Sequence, residues 1–482
     1  MLAEYATQLG LPSYLPEPVL SPHDAPEFGV ELHHPIRPGT TVMAEIAPRK
    51  VALTPRPHLI ADVTLRAGDH PIGQVRGAGL KITEGPGTHL AATEAPSGVA
   101  VATRRCADGR PARVNEFHMA LLAEGDINEA LGTPGLALAR MRTRLPRGEL
   151  LMLHRSPDPA RPHGEYLPGA AMTTEYDVPK DPWYLRDNGG RAFPLLALLE
   201  IALQGAAIVA IAHGLILEHP DQDRAVRNLE GRLTLRHLPD LAGRTVTQRS
   251  TLLSHTALPD CEIQRYAFEL SVDGQAFCSG ETTYGCYAAA SLAEPGRPPG
   301  PGTTPSPWLH LPQAPPPTAR PAVASDARLG TGRLALLDDL AVVFQGGAHG
   351  LGYALGTARI DPHAWYFDQH FLHDPVMPGS FGLEMMHQSL RAYLLHSGLL
   401  DAMPTPVLTI GTATELAWGY RGQILPSHRT VQAEVHLTDL ISGGGKLTAR
   451  ADGALWRDGL RVYQATGLSI VARPGTDHRP TP

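Results

Sequence analysis

The segment HFLHDPVMPGSFGLE, residues 370–384, combines groups that could remove a proton and stabilise negative charge. His370 is a candidate general base, because a neutral imidazole accepts a proton near neutral pH. Pro378 and Gly379 predict a tight turn, and Ser380 is placed to cap the helix that follows. The Gly379 amide at a helix N-terminus could bind a carbonyl oxygen that gains negative charge.

Two glutamates occupy matching places in two apolar segments. Glu200 is followed four residues later by Gln204, and Glu384 is followed by Gln388 at the same spacing. A buried carboxyl has a raised pKa, stays protonated near neutral pH and could act as a general acid. The alternative is structural, with each carboxyl bound only to its glutamine or to loop backbone. The residues alone leave both interpretations open.

The elements that must position these groups occur twice along the chain. In each copy an Asp-Pro and a Trp-Tyr pair lead into a long apolar helix and then a strand meander with a two-residue Asp-Gly turn. Between residues 193 and 217 the only polar side chains are Glu200, Gln204 and His213, so this helix must be enclosed. A membrane span is the alternative, but Pro194, Glu200 and Gln204 crowd one end of the segment. A curled antiparallel sheet around each helix fits better.

Composition predicts the domain limits. Residues 291–322 are rich in Pro and Gly and predict a semi-rigid linker. The predicted order is an N-terminal segment (1–110) like the strand half of a further repeat, unit 1 with Glu200 (111–290), the linker (291–322), unit 2 with His370 (323–475) and a tail (476–482). The incomplete third copy suggests either an excerpt of a larger polypeptide or a start inside a shortened unit.

Bulk properties exclude several classes of protein. With 482 residues, 43% of them hydrophobic, the chain predicts a globular protein of several domains. A net charge of -7 with scattered Lys and Arg argues against nucleic-acid binding. Four cysteines without a Cys-x-x-Cys pair, and a start without a signal-peptide pattern, predict a cytoplasmic protein. The 23 histidines show no metal-ligand spacing, so no metal site is expected.

The His370 segment resembles the active-site segment of bacterial 3-hydroxyacyl-acyl carrier protein dehydratases of the 3-hydroxydecanoyl dehydratase/isomerase type. YDVPKDPWYL, LLALLEIALQ and GYRGQIL look like parts of the tandem dehydratase regions of polyunsaturated fatty acid synthases, which are polyketide-synthase-like. This second resemblance spans about residues 110 to 473. It implies an α+β, tandem (double) hotdog fold, in which each unit is a long buried helix wrapped by a curled antiparallel sheet.

The resemblance also implies roles for individual residues. His370 would remove a proton from C2 of a 3-hydroxyacyl thioester, the Gly379 amide would polarise the thioester carbonyl, and the Val376 backbone carbonyl would orient the imidazole. In homodimeric members the acid comes from the opposite subunit, so Glu200 of the first half is the expected acid. Glu384 is the alternative if the halves pair differently.

The remaining expectations concern supporting residues and the number of sites. Gln204 and Gln388 are expected to support the two glutamates, and Asp374 to support the His370 loop, chiefly as a turn former before Pro375. Residues 185–198 of the first half contain no histidine, so one competent site per fused pair is expected.

The expected activity is dehydration of a (3R)-hydroxyacyl chain to a 2-enoyl product, with or without isomerisation of the double bond. The resemblance implies a substrate carried on the phosphopantetheine of an acyl carrier protein, no cofactor of the chain's own, and other synthase domains as partners. No nucleic-acid partner and no membrane span are expected, and a homodimer is an open expectation. The alternative is a catalytically silent or thioesterase-type hotdog module that binds acyl chains.

Overall fold

A computed structural model describes most of the chain. The described residues are 1–24, 27–88, 90, 104–133, 142–161, 167–219, 222–259, 261–292, 306–323 and 326–475. They form two compact units. The N-terminal compact unit comprises residues 1–140, 153–164 and 211–221, and the main compact unit comprises residues 141–152, 165–210 and 222–482.

The N-terminal compact unit contains an antiparallel five-stranded sheet. The strands run in the order β1-β5-β4-β3, and β2 also pairs with β5. Short helices lie before and after the strands in the chain. The elements are α1 (Leu2–Gln8), β1 (Val19–Pro22), β2 (Gly29–Leu32), β3 (Met43–Ala52), β4 (His58–Ala67), β5 (His70–Thr83), α2 (Glu116–Glu124) and α3 (Ile127–Leu131).

The main compact unit repeats one order of elements, a helix followed by antiparallel strands. Its first half contains β6 (Ala171–Asp177), α4 (Trp183–Arg186), α5 (Leu195–Ala212), β7 (Arg224–Leu235), β8 (Thr245–Ala257), β9 (Cys261–Val272) and β10 (Gln275–Ala288). Its second half contains β11 (Asp339–Phe344), β12 (Gly352–Arg359), α6 (Trp365–Gln369), α7 (Gly379–His396), β13 (Pro406–Ile410), β14 (Glu415–Tyr420), β15 (Thr430–Gly443), β16 (Lys446–Arg457) and β17 (Leu460–Pro474).

One antiparallel sheet of twelve strands joins the two halves. Its order is β11-β12-β15-β16-β17-β14-β7-β10-β9-β8-β6, and β13 pairs with β17. The strands β7 and β14 pair with each other, so the sheet of the first half continues into that of the second. The predicted turns are present at Asp273-Gly274 and Asp458-Gly459, where all four residues have positive φ, as a two-residue hairpin turn requires.

The two long helices form the centres of the halves. Leu and Ala dominate α5, which favours a helix, and nearly all of its side chains are buried. Strand β8 contacts α5 through the Gln248 amide, which donates to the Ala202 carbonyl at 2.8 Å. In the second half, α7 packs on β15, where the Ser389 hydroxyl lies 3.4 Å from the Ala433 carbonyl. A long helix wrapped by an antiparallel sheet is the hotdog arrangement, so the predicted α+β tandem hotdog class is confirmed.

The helix α5 is long and apolar enough to cross a membrane by length and composition alone. In the structure, 89% of this segment is buried inside the protein. It is therefore accounted for as the core helix of the first half.

The first apolar helix is shorter than predicted, and only part of the predicted linker lies among the described residues. The first apolar helix, predicted over 193–217, ends at Ala212, and Gly214 adopts φ 88°, a conformation that ends helices. Residues 293–305 of the predicted linker and the predicted tail 476–482 lie outside the described residues. Residues 306–322 of the linker include a short 3₁₀ turn and an isolated antiparallel bridge between Ala319 and Val342. The predicted domain limits stay predictions, and the compact units divide the chain differently near residue 110.

Candidate active site

His370 lies at the C-terminal end of α6, and its ring is held by a backbone group. The imidazole Nδ1 lies 2.7 Å from the Val376 carbonyl oxygen. Because a carbonyl only accepts hydrogen bonds, Nδ1 carries the hydrogen and Nε2 keeps a free lone pair. Burial lowers the pKa of His370 to about 4, although the Val376 carbonyl acts in the opposite direction. The ring is therefore neutral, as a general base must be, over most of the pH range.

Glu200 lies inside α5 and is 5% exposed. Its Oε1 accepts a hydrogen bond from the Ser380 hydroxyl at 2.5 Å, and its Oε2 accepts one from the Gln204 amide at 2.8 Å. Burial raises the pKa of Glu200, and these two hydrogen bonds oppose that rise. The carboxyl is therefore protonated to higher pH than an exposed glutamate, as a general acid requires.

Gln204 is fixed in turn by the chain that precedes β6. Its side-chain carbonyl accepts from the Met152 amide at 2.8 Å, and its amide group donates to the Leu150 carbonyl at 2.7 Å. The Glu200 carboxyl is thus held at both oxygens by partners that have little freedom.

Ser380 brings the two halves of the candidate site together. It is the second residue of α7, directly after Gly379, and its hydroxyl contacts Glu200 of α5. The prediction that Ser380 caps this helix is wrong, because Pro378 occupies the capping position and α7 starts at Gly379. A carboxyl from the first half therefore lies beside the turn that follows His370 in the second half. Sequence reasoning missed this role because the partner of Ser380 is 180 residues away.

Gly379 is the first residue of α7, where a backbone amide has no acceptor within the helix. A Cβ at this position would lie 2.6 to 2.8 Å from the ring and hydroxyl atoms of Tyr420. The Tyr420 hydroxyl is buried and has no hydrogen-bond partner among the described residues. Burial raises its pKa strongly, and the neighbouring Tyr463 and Glu200 raise it further. Only glycine fits here without displacing Tyr420, and the phenol stays protonated as a donor.

Glu384, the alternative acid, lies in a different environment. It is the sixth residue of α7, as Glu200 is of α5, but its Oε2 accepts from the Leu196 backbone amide at 3.1 Å. Burial raises the pKa of Glu384. Gln388 donates to the Leu334 carbonyl at 3.0 Å. Each glutamate thus reaches the N-terminal turn of the other half's helix, and only Glu200 meets the turn that follows a histidine.

Asn188 stands in the first half where His370 stands in the second. Each is the sixth residue counted from the Trp-Tyr pair that starts α4 or α6. The Asn188 amide donates to the Ala192 carbonyl at 2.6 Å, and Ala192 precedes a proline by two residues, as Val376 does. The geometry around the base is thus preserved with asparagine, which cannot accept a proton at neutral pH. Sequence reasoning noted the missing histidine but not this replacement.

Arg391 occupies the surroundings of Asn188. Its guanidinium donates to the Asn188 side-chain oxygen at 2.6 Å and to the Leu329 carbonyl at 3.2 Å. Arg391 is 2% exposed, and burial lowers its pKa while Glu384 acts in the opposite direction. The half-site around Glu384 therefore has Asn188 where the other half-site has His370, and it also contains the buried Arg391.

Asp374, predicted as a supporting residue, forms an ion pair on the His370 loop. Its two carboxylate oxygens lie 2.6 and 2.9 Å from two nitrogens of Arg227, which belongs to β7 of the first half. Sequence reasoning did not single out Arg227, because one arginine within an ordinary alternating strand carries no local signal.

A comparison with protein families matches the part of the chain that contains His370. Residues 329–466 match the family described as the FabA-like domain. The chain is thus similar to the FabA-like domain over this segment. It is also 31% identical over 334 residues to one of the subunits of the polyunsaturated fatty acid synthase of Thraustochytrium sp. (strain ATCC 26185 / S-3). That alignment covers 63% of this chain but only 22% of the relative. The resemblance to polyunsaturated fatty acid synthases predicted from the sequence is confirmed.

Several solved structures are similar at low identity. An inactive mutant of the CurK dehydratase is 14% identical with a TM-score of 0.36, covering 64% of this chain and 94% of that one. A bifunctional dehydratase-cyclase domain in ambruticin biosynthesis is 15% identical with a TM-score of 0.33, covering 68% and 96%. The 12:0-ACP thioesterase from Umbellularia californica is 10% identical with a TM-score of 0.35, covering 64% and 96%.

Proposed function

We propose that this chain is a dehydratase that converts a (3R)-hydroxyacyl thioester on an acyl carrier protein to the 2-enoyl thioester. The observation that carries the proposal is the hydrogen bond from Ser380 to Glu200. It places a buried carboxyl of the first half at the helix start that follows the His370 turn. A base, an oxyanion donor and an acid then belong to one site.

In this reaction His370 and Glu200 each transfer one proton. His370 Nε2 removes a proton from C2 while the Gly379 amide donates to the thioester oxygen and stabilises its negative charge. Glu200 then protonates the C3 oxygen, so that the C3–O bond breaks, water leaves and a C2=C3 double bond forms. The reaction leaves His370 protonated and Glu200 ionised, and transfer of one proton between them restores the starting state. The lowered His370 pKa and the raised Glu200 pKa favour the required starting forms.

The proposal also covers the carrier, the partners and the pathway, for which the relative and the match to the FabA-like domain give support. The substrate is carried on phosphopantetheine, the partners are an acyl carrier protein and further synthase domains, and the protein acts in the cytoplasm in fatty acid or polyketide synthesis. The chain needs no cofactor of its own, because the thioester already acidifies the C2 proton. Isomerisation of the new double bond would use His370 again, to move a proton between carbons. A homodimer is compatible with this chemistry.

Glu384 is the less suitable acid on geometric grounds. Its carboxyl accepts from the Leu196 amide at the start of α5, which corresponds to the helix start where Ser380 stands in α7. In that half-site Asn188 replaces the base. We therefore propose one competent site per chain, made from both halves.

The test is mass spectrometry of an acyl carrier protein loaded with a 3-hydroxyacyl chain. The intact protein and Glu384→Gln should remove water from the chain, whereas Glu200→Gln and His370→Asn should not. If Glu384→Gln is inactive and Glu200→Gln is active, the assignment of the acid is wrong. Release of free acid would indicate a thioesterase, and no change with any form would indicate a silent acyl-binding module.

A further inference from the structure

The loop that links His370 to α7 is held at three points. The His370 ring binds the Val376 carbonyl within the loop, and the Met377 amide donates to the Ile424 carbonyl at 2.9 Å in the second half. The third contact is the ion pair between Asp374 and Arg227, and it alone among these three reaches the first half, which carries Glu200.

Every N–H of the Arg227 guanidinium has an acceptor. Two nitrogens donate to the two Asp374 oxygens at 2.6 and 2.9 Å. The Gln423 side-chain oxygen accepts from Nε at 3.0 Å and from Nη2 at 2.9 Å, and the Val226 carbonyl accepts from Nη1 at 2.9 Å. Five N–H groups and five hydrogen bonds fix the guanidinium completely. Such two-pronged arginine–carboxylate pairs define orientation as well as distance.

We infer that Arg227 is a positioning residue of the dehydration reaction. Through its ion pair with Asp374 it fixes the His370 loop of the second half to β7 of the first half, which supplies the acid. The inference rests on the proposed function, because it concerns the distance between that base and that acid. Reaction geometry is sensitive to this distance, since a misplacement of about 1 Å can cost about a hundredfold in rate.

The pair also acts on His370 through charge. Arg227 lowers the pKa of His370 and Asp374 raises it, and they are the charged groups that act on this ring among the described residues. Removing Arg227 should therefore move the acidic limb of the pH–rate profile to higher pH, and removing the Asp374 charge should move it to lower pH. A purely structural role would not produce shifts in opposite directions.

The experiment compares Arg227→Gln, Arg227→Lys and Asp374→Asn in the carrier-bound 3-hydroxyacyl assay across pH. Arg227→Gln should lower kcat at least tenfold, change KM less than threefold and shift the acidic limb upward. Arg227→Lys keeps the charge but not the two-pronged geometry, so it should lower kcat and leave the limb in place. Asp374→Asn should shift the limb downward. The double variant Arg227→Gln/Asp374→Asn leaves no unpaired buried charge, so it keeps the test valid if the single variants fold poorly.

The matched control is Arg224→Gln. Arg224 lies on the same strand β7 and forms an even more deeply buried pair with Glu262 at 2.9 Å. This variant should lose stability but keep kcat per folded molecule and the acidic limb. Wild-type kcat and limb position in folded Arg227→Gln, or losses no larger than those of Arg224→Gln, would overturn the inference.

Failure of the proposed function gives a different result. If the intact protein removes no water, the His370 titration can still be followed by NMR of histidine-labelled protein, with His370→Asn to assign the signal. An upward shift of that titration in Arg227→Gln and a downward shift in Asp374→Asn would still support the link between pair and loop. An unchanged titration in both variants would overturn it.

Discussion

Gly379→Ala tests whether the start of α7 is built for the reaction. The added Cβ would lie 2.6 Å from the nearest ring atom of Tyr420, whereas carbon atoms in contact are about 3.5 to 4.0 Å apart. The helix start or the Tyr420 ring must therefore move by about 1 Å. Because Tyr420 is buried against the Tyr463 ring at 4.5 Å between centroids, the ring cannot move aside freely and the helix start must take up part of the displacement.

A displacement of this size moves the Gly379 amide away from the thioester oxygen. Loss of one oxyanion donor costs about 10²- to 10³-fold in kcat, and we expect a decrease of about a hundredfold or more. The assay is the rate of water loss from a carrier-bound 3-hydroxyacyl chain, together with a thermal unfolding curve. KM should change much less, because the developing charge exists only in the transition state.

Two controls accompany this variant. In Gly419→Ala, on β14 beside Tyr420, the new Cβ would meet no atom closer than 3.5 Å, so activity should be unchanged. The double variant Gly379→Ala/Tyr420→Leu removes the clash and should recover part of the rate. The first residue of α5 is Leu195, which shows that a side chain is tolerated at the corresponding place in the first half. A folded Gly379→Ala protein with wild-type kcat would refute the oxyanion assignment.

Three further predictions concern the same region. Ser380→Ala removes a hydrogen bond that lowers the Glu200 pKa, so the basic limb of the kcat profile should move to higher pH, and an unmoved limb would contradict this. Burial raises the Glu200 pKa in the folded state, so the carboxyl ionises at lower pH in the unfolded chain and the stability of the protein falls as pH rises. Glu200→Gln should therefore have a higher melting temperature than the wild type at pH 8 but not at pH 5. Phe381→Ala leaves a cavity at a fully buried position beside Tyr366 and should lower the free energy of unfolding, measured in urea, by about 3 to 5 kcal/mol. A smaller decrease would mean that neighbouring side chains collapse into the cavity.

Periodicity and repetition in the sequence were enough to predict the architecture of the main compact unit. Two apolar helices, each followed by a meander with an Asp-Gly turn, need antiparallel strands that cover each of them, and the structure provides these strands as one continuous sheet of twelve strands. The Glu200–Gln204 contact was also predictable, because residues four apart on a helix face the same side. The contact of His370 with Val376 is local in sequence and was carried by the resemblance.

What the sequence did not predict depends on contacts between distant residues. Ser380 has the right type and place for a helix cap, but Pro378 takes that position and leaves the hydroxyl free to meet Glu200. Arg227 and Arg391 show no local pattern, because an arginine in a strand or helix is usually at the surface. Arg227 binds Asp374, which is 147 residues away, and Arg391 binds Asn188, which is 203 residues away, so each contact joins the two halves.

The two half-sites differ in ways that bear on each other. In the second half, the Gly379 amide has no acceptor within α7, and Ser380 supplies a hydroxyl that binds the opposing carboxyl. In the first half, Leu196 has no such hydroxyl, so its backbone amide binds Glu384 instead. When a carboxyl accepts from the backbone amide at a helix N-terminus, that amide cannot also stabilise a substrate oxyanion, whatever residue stands in the place of the base. Ser380 therefore keeps the helix start of the candidate site available, because it gives Glu200 a partner other than the backbone.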